Sequence, residues 1–265
     1  MVNTIAVRIM GILNLTPDSF YDGGRYGDSG AALAHAEKML EAGADIIDIG
    51  GESSRPGSES VSAETELARV MPVLEKVCAL GATVSVDTRK ALVAEAALQC
   101  GALMVNDISA LRFDPAMADV LVKYKAQIVL MHMKGQPRCM QEAPFYDDVM
   151  KEIRDFFTER IDFAQKAGIA KEAIILDPGI GFGKRCEDNI TILKNIELFL
   201  DLGYPLMIGA SRKRLIGDIS GTPAAERLPG SLALACLAAI RGAGILRVHD
   251  VAETVQAIKV LKQLW

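Results

Sequence analysis

The sequence predicts a parallel (β/α)8 barrel, an α/β fold of the TIM type, and three observations carry that prediction. Short apolar runs rich in β-branched residues alternate with longer stretches of helical period, with no linker or charge block between them. Eight such runs can be counted, the number that closes a barrel. The polar residues with chemical potential fall at the C-terminal ends of those runs, where a barrel gathers them into one mouth; an open doubly wound sheet, the main competitor, would scatter them about a switch point. At 265 residues the chain matches the roughly 250 that one barrel uses, so a single domain over 1–265 is expected.

In order, strands are expected at 7–13, 45–49, 83–86, 103–105, 127–131, 173–176, 205–208 and 245–248. Unbroken apolar runs such as Ile46-Ile47 and Ile174-Ile175-Leu176 suit strands buried on both faces. Helical periodicity predicts helices over 31–42, 63–79, 91–100, 147–167, 189–202, 231–241 and 251–264, with small-residue turns such as Glu41-Ala-Gly-Ala44 returning the chain. The strand ends then carry Asn14, Asp48 to Glu52, Asp87, Asn106 with Asp107, His132, Asp177, Ser211 with Lys213, and Arg247 with His249.

Half the residues are hydrophobic and 24% are charged, which allows a large core and excludes disordered, collagenous and coiled-coil classes. A net charge of −5 argues against a nucleic-acid-binding surface while allowing a small anionic ligand. The uncharged stretch between Arg227 and Arg241 is too short to cross a bilayer, and the N-terminus lacks a secretory pattern, so a cytoplasmic protein is expected, with no membrane partner. Five cysteines without a C-x-x-C pair suggest neither disulfides nor thiolate zinc.

The run GIGFGK at 179–184 fails as a phosphate loop, because Arg185 replaces the magnesium-binding Ser or Thr, and it fails as a dinucleotide fingerprint; it reads as a ligand wall hinged by glycines. In GASRK at 209–213, Lys213 stands where a hydrolase elbow needs Gly. The three histidines lack zinc spacing, and His132 reads either as a packed strand-end residue or as a pocket group. Asp87 and Asp177 could each cap a helix, but with Asn106 they converge as acceptors for a polar heterocycle rich in N–H donors. Lys213, Arg247, His249 and Arg55 supply the opposite sign, an oxyanion site at the mouth.

Eight ordered motifs resemble the dihydropteroate synthase family: MGILNLTPDSF at 10–20, DIGGESSRPG at 48–57, SVDT at 85–88, VNDI at 105–108, MHM at 131–133 with Met140-Gln141, DPGIGFGK at 177–184, SRK at 211–213 and RVHD at 247–250. The resemblance implies a barrel, usually homodimeric, that condenses 6-hydroxymethyl-7,8-dihydropterin pyrophosphate with p-aminobenzoate in folate synthesis, with Mg2+ as its metal and sulfonamides as inhibitors. It implies that Asp87, Asn106, Asp177 and Lys213 hold the pterin ring, and that Asn14, Arg55, Arg247 and His249 meet the pyrophosphate, Asn14 also as the metal ligand. Ser54, which also borders the pterin and pyrophosphate, Arg55, Pro56, Phe182, Ser211 and Lys213 would frame the aminobenzoate, on loops of which the first two, around 16–24 and 53–58, are mobile in this family. Ser54 stands where the family usually has Thr, and Ile180 and Cys139 where Phe and Thr are frequent.

Displacing pyrophosphate from a methylene on an electron-rich ring needs leaving-group charge neutralised more than a strong base. A dissociative substitution is therefore expected, with Asp22 beside the developing cation. The competing expectation is a pterin-binding methyltransferase barrel passing a methyl group from methyltetrahydrofolate to a corrinoid protein. The NLTPDS loop at 14–19 and the SRK run argue against it.

Overall fold

The computed structural model describes residues 6–16 and 29–264. Eight parallel strands form a single sheet: β1 Arg8–Asn14, β2 Ile46–Gly50, β3 Val84–Asp87, β4 Met104–Asp107, β5 Gln127–Met131, β6 Ile174–Asp177, β7 Met207–Ile208 and β8 Ile245–Val248. Their order is β6-β5-β4-β3-β2-β1-β8-β7, and a parallel bridge between Leu176 and Leu206 joins the two ends, so the sheet closes nearly into a barrel. Every predicted strand is present, displaced by no more than a few residues.

Strand period divides each run between two environments. Ile47, Ile49, Val84, Val86, Ile128, Leu130, Leu246 and Val248 point outward into the large core shared with the helices. Met10, Ile46, Met104, Val129, Ile175, Met207 and Ile245 point inward and pack on one another as an apolar floor, with the buried Ser85 in the β3 place. Two residues further along each strand the same inward direction returns, at Ile12, Asp48, Asp87, Asn106, Met131, Asp177, Gly209 and Arg247. Another step along β1 brings Asn14, with Ser211 and His249 two residues beyond Gly209 and Arg247. Floor, polar pit and mouth are thus successive tiers of one barrel interior.

The helices that cover the barrel are α1 Ser29–Glu41, α2 Ala63–Ala79, α3 Ala91–Gln99, α4 Met117–Tyr124, α5 Val149–Lys166, α6 Cys186–Lys194, α7 Arg214–Ser220, α8 Leu228–Ile240 and α9 Val251–Leu264. The α2 start is fixed by Ser62, whose hydroxyl accepts from the Thr65 amide, and the α5 start by Asp148. Two sequence expectations need correction. The helix expected over 189–202 breaks at Asn195, in a non-helical conformation, and continues as a 3-10 segment Ile196–Leu202. The short α4 and α7 are absent from the sequence pattern: neither has a side-chain cap, and each spans only about two turns, too few for periodicity to register.

Candidate active site

The C-terminal end of the barrel opens into a cleft of about 1200 Å³, and the pit lies at its base. Asp48, fully buried, accepts from Arg247 Nε at 2.7 Å and from Asn106 Nδ2 at 3.0 Å. Arg247 Nη2 donates to Asp87 Oδ2 at 2.6 Å. Because the Asn106 amide nitrogen is committed to Asp48, its Oδ1 is left as an acceptor, and among the described residues both that atom and Asp48 Oδ1 are buried without a hydrogen-bond partner. Buried acceptors of this kind are costly unless a ligand donor meets them. Asp177 Oδ1 accepts from the Gly179 amide at 2.7 Å.

Burial pushes Asp87 up, to about 7, with Arg247 pulling the other way; Asp177 is also raised by burial. Burial and the neighbouring Arg247 bring Lys213 down to about 8, and the same two causes, in the same order, bring His249 down to about 4. Burial opposes the charge of Arg247, yet Asp48 and Asp87 outweigh it and hold the guanidinium charged.

Loops supply the rim. Ser211 and Lys213 flank Arg212, whose backbone is left-handed (φ 54°) and whose side chain grips Asp250 at 2.9 and 2.6 Å. That grip, with the Arg212 amide on Ser231 Oγ, holds a strained turn in place and aims its neighbours at the cleft. The Ser211 hydroxyl lies 3.1 Å from His249 Nδ1 and accepts from the His249 amide. A hydroxyl that takes the amide hydrogen and gives its own to Nδ1 leaves Nε2–H as the ring donor. Lys213 Nζ sits 4.1 Å from the Phe182 ring centroid, and both side chains line pit and cleft.

The glycine-rich loop is a wall, as the sequence suggested, but Lys184 has an internal role. Its buried ammonium meets the carbonyls of His132, Gly179 and Phe182 at 3.3, 2.9 and 3.1 Å, and His132 Nδ1 at 2.9 Å. His132 is therefore a packed residue. Gly179 and Gly183 have left-handed backbones, and a Cβ on either would run into a carbonyl, of His132 or of Lys134.

The chain matches the pterin binding enzyme family model over residues 10–249. It is 47% identical to the dihydropteroate synthase of Escherichia coli K12, an alignment covering 96% of this chain and 90% of that protein. The chain belongs to the dihydropteroate synthase family. Among solved structures, the Yersinia pestis dihydropteroate synthase in complex with a sulfonamide drug superposes with a TM-score of 0.93 at 45% identity, covering 98% of this chain and 94% of that one. The Xanthomonas albilineans enzyme in complex with 7,8-dihydropteroate gives 0.88 at 45% identity, covering 97% and 93%.

Within this member of the dihydropteroate synthase family, the residues singled out by sequence fall together with few exceptions. Asp87, Asn106, Asp177, Lys213 and Arg247 line the pit, and Ser54 and Phe182 border it. Asn14, Arg55, Pro56, Ser211 and His249 line the cleft above. Asp22 and most of the first loop lie outside the described residues. The Arg247 guanidinium is bonded to two pit carboxylates, deeper than the sequence suggested, and the residue lines both pit and cleft. Asp107, which sequence leaves beside Asn106, faces away from the pit and caps its own turn through the Ser109 and Leu111 amides. Asp48 stands in the sequence only as part of a polar strand end; counting two residues from the apolar Ile46 finds it.

Proposed function

We propose that this protein condenses 6-hydroxymethyl-7,8-dihydropterin pyrophosphate with p-aminobenzoate, giving 7,8-dihydropteroate and pyrophosphate, a step of folate synthesis. The observation that carries the reading is the pit: buried, unpartnered acceptors on Asp48 and Asn106 stand beside Asp87 and Asp177, below a cationic mouth. That set complements the N–H-rich edge of a pterin. Lys213 faces the ring carbonyl and ring nitrogen side with a donor, and Arg247, which lines both pit and cleft, spans the pterin and its diphosphate.

Catalysis then rests on charge placement. The methylene carbon–oxygen bond breaks as the diphosphate leaves, the aniline nitrogen forms the new bond, and an aniline proton departs to solvent. Arg247 and the Nε2–H of a neutral His249 stabilise the departing diphosphate, and Arg55 adds charge from the β2–α2 loop. Phe182 and the stem of Lys213 hold the aminobenzoate ring near the pit, with Ser54, Pro56 and Ser211 around it. Asp22 is the proposed neighbour of the cationic methylene.

Among the described residues no group of three or more His, Cys, Asp or Glu is arranged to hold a metal. Asn14, an uncharged oxygen donor beside Arg247 and His249 on the cleft wall, nevertheless fits Mg2+, which keeps much of its water and takes its remaining ligands from one or two protein oxygens and substrate phosphates. Bound there, Mg2+ would neutralise charge on the leaving diphosphate. The deciding experiment supplies purified protein with both substrates and Mg2+: dihydropteroate should form in step with pyrophosphate release. Folded protein that makes none, yet demethylates methyltetrahydrofolate with a corrinoid acceptor, would establish the competing methyl-transfer reading.

Homodimerisation is part of the proposal and draws support from α8. Its sequence LPGSLALACLAAI is apolar all round, and Pro229, Ala233, Cys236 and Ile240 form a stripe left wholly or partly exposed at helical spacing, with exposed Ile219 on the adjoining α7. Sedimentation of Ala233→Glu as a monomer beside a dimeric parent would bear this out. Five free cysteines suit a reducing compartment, which supports a cytoplasmic location, and no helix among the described residues is long and apolar enough to cross a membrane. Sulfonamides should compete with p-aminobenzoate for the Ser54–Phe182 half of the cleft.

A further inference from the structure

The loop between β2 and α2 carries Ser54, Arg55 and Pro56 to the cleft, yet little of its own surface is packed: Arg55, Pro56 and Gly57 are all exposed. What fixes it is a carboxylate at its root. Glu52 Oε2 accepts from Ser60 Oγ at 3.1 Å and from the Val61 amide at 3.0 Å, joining the two ends of the excursion. The same oxygen accepts from Lys90 Nζ at 2.6 Å, and Oε1 accepts from Arg89 at 3.2 and 2.9 Å. Arg89 and Lys90 belong to the corner that follows Asp87 in the pit wall. That corner is itself held by the Thr88 amide on the Asn106 carbonyl and by the Lys90 amide on Thr88 Oγ1.

We propose that Glu52 is a positioning residue for the aminobenzoate half of the cleft, holding Ser54 and Arg55 in register with the pterin-binding corner. This deepens the proposed function and rests on it for the identity of the ligand. Inside the loop the Ser58 hydroxyl donates to the Ser53 carbonyl at 2.6 Å and the Ser58 amide to the Arg55 carbonyl at 3.0 Å, so a fixed root fixes the tip. The Arg69 guanidinium on the Gly51 carbonyl at 2.8 Å secures the strand end behind it. Lys90 also pairs with the fully buried Glu66, giving two acids and two bases in one shielded cluster. Lys90, the Val61 amide and Arg89 hold the Glu52 carboxyl below its ordinary range despite burial. Replacing Glu52 by Gln keeps its shape but leaves Arg89 and Lys90 opposed by Glu66 alone, so the corner and the loop lose their common anchor.

The test compares the parent protein with Glu52→Gln and, approaching from the other side, Arg89→Gln. In each, KM for p-aminobenzoate should rise about ten- to a hundredfold, because misplacement of binding groups is that costly, and kcat should fall as well, since the same loop carries Arg55 to the diphosphate. Affinity for 6-hydroxymethylpterin should hold, and the double variant should be no worse than the poorer single one. Hydrogen exchange across 53–61 should quicken in both variants without any substrate present. Exchange therefore judges the clasp even if the parent makes no dihydropteroate, an outcome that would sink the functional reading instead. A folded Glu52→Gln with unchanged KM and unchanged exchange overturns the proposal. So does a loss of pterin affinity parallel to that for aminobenzoate, the mark of general weakening. Should Glu52→Gln fail to fold, KM and exchange measured on Arg89→Gln decide between the same two outcomes.

Discussion

The floor and the pit of the barrel are built from the same strands, one two-residue step apart, and they differ in almost everything else. Met104 and Asn106 on β4, or Ile175 and Asp177 on β6, point the same way, yet one member of each pair seals the core and the other waits for a ligand. The floor is satisfied by itself, since seven apolar side chains need only each other. The pit is not: it contains orphaned acceptors and an arginine held between two carboxylates. Stability and recognition are therefore assigned to neighbouring tiers, and substitutions should separate them.

The largest effect is expected in the floor. Ile175→Ala empties a site that is 1% exposed and should cost about 2–5 kcal/mol of stability in denaturant titrations, with the KM of the surviving folded enzyme unchanged. A shifted KM would show that the tiers are not independent. Asp177→Asn should do the reverse. Its Oδ1 can still accept from the Gly179 amide, so the melting temperature should hold, while calorimetry should record about 2–3 kcal/mol less pterin binding as a charged acceptor is lost. Unaltered pterin affinity would remove Asp177 from the site.

The next effect is on pH dependence. Burial and Arg247 lower Lys213 to about 8, so its positive charge is present below that value and lost as pH rises through it. The profile of kcat/KM for the dihydropterin pyrophosphate should fall on the alkaline side near pH 8, and Lys213→Arg should move that limb upward. A flat alkaline profile would assign the limb to no pit cation. Smallest is Ser54→Thr, which adds one methyl group at the border of pit and cleft: sulfonamide affinity should change by less than about 1 kcal/mol, toward tighter binding if the Ser54 pocket is loose. Inhibition constants for a sulfonamide series measure it.

The amino-acid sequence specified the eight strands without help from the fold, because segments buried on both faces must be apolar and β-branched whatever surrounds them, and their order along the chain marks the barrel. It also determined the set of polar strand ends, since the motifs from Asn14 to His249 are local and need no partner to be read. Short elements escaped it: α4 and α7 hold their shape through packing, without side-chain caps. Tertiary structure alone decided who meets whom. Asp48 and Arg247 are 199 residues apart and become bonded only when β1 and β8 pair and the sheet curls round. The clasp on Glu52 likewise joins it to Lys90 across 38 residues, and Lys184 reaches His132 across 52. A residue's type states which bonds it can make. Which of them it does make depends on the inward direction of each strand position and on the tier to which that position is brought, and those are fixed by register across the curled sheet, a property that no stretch of sequence carries alone.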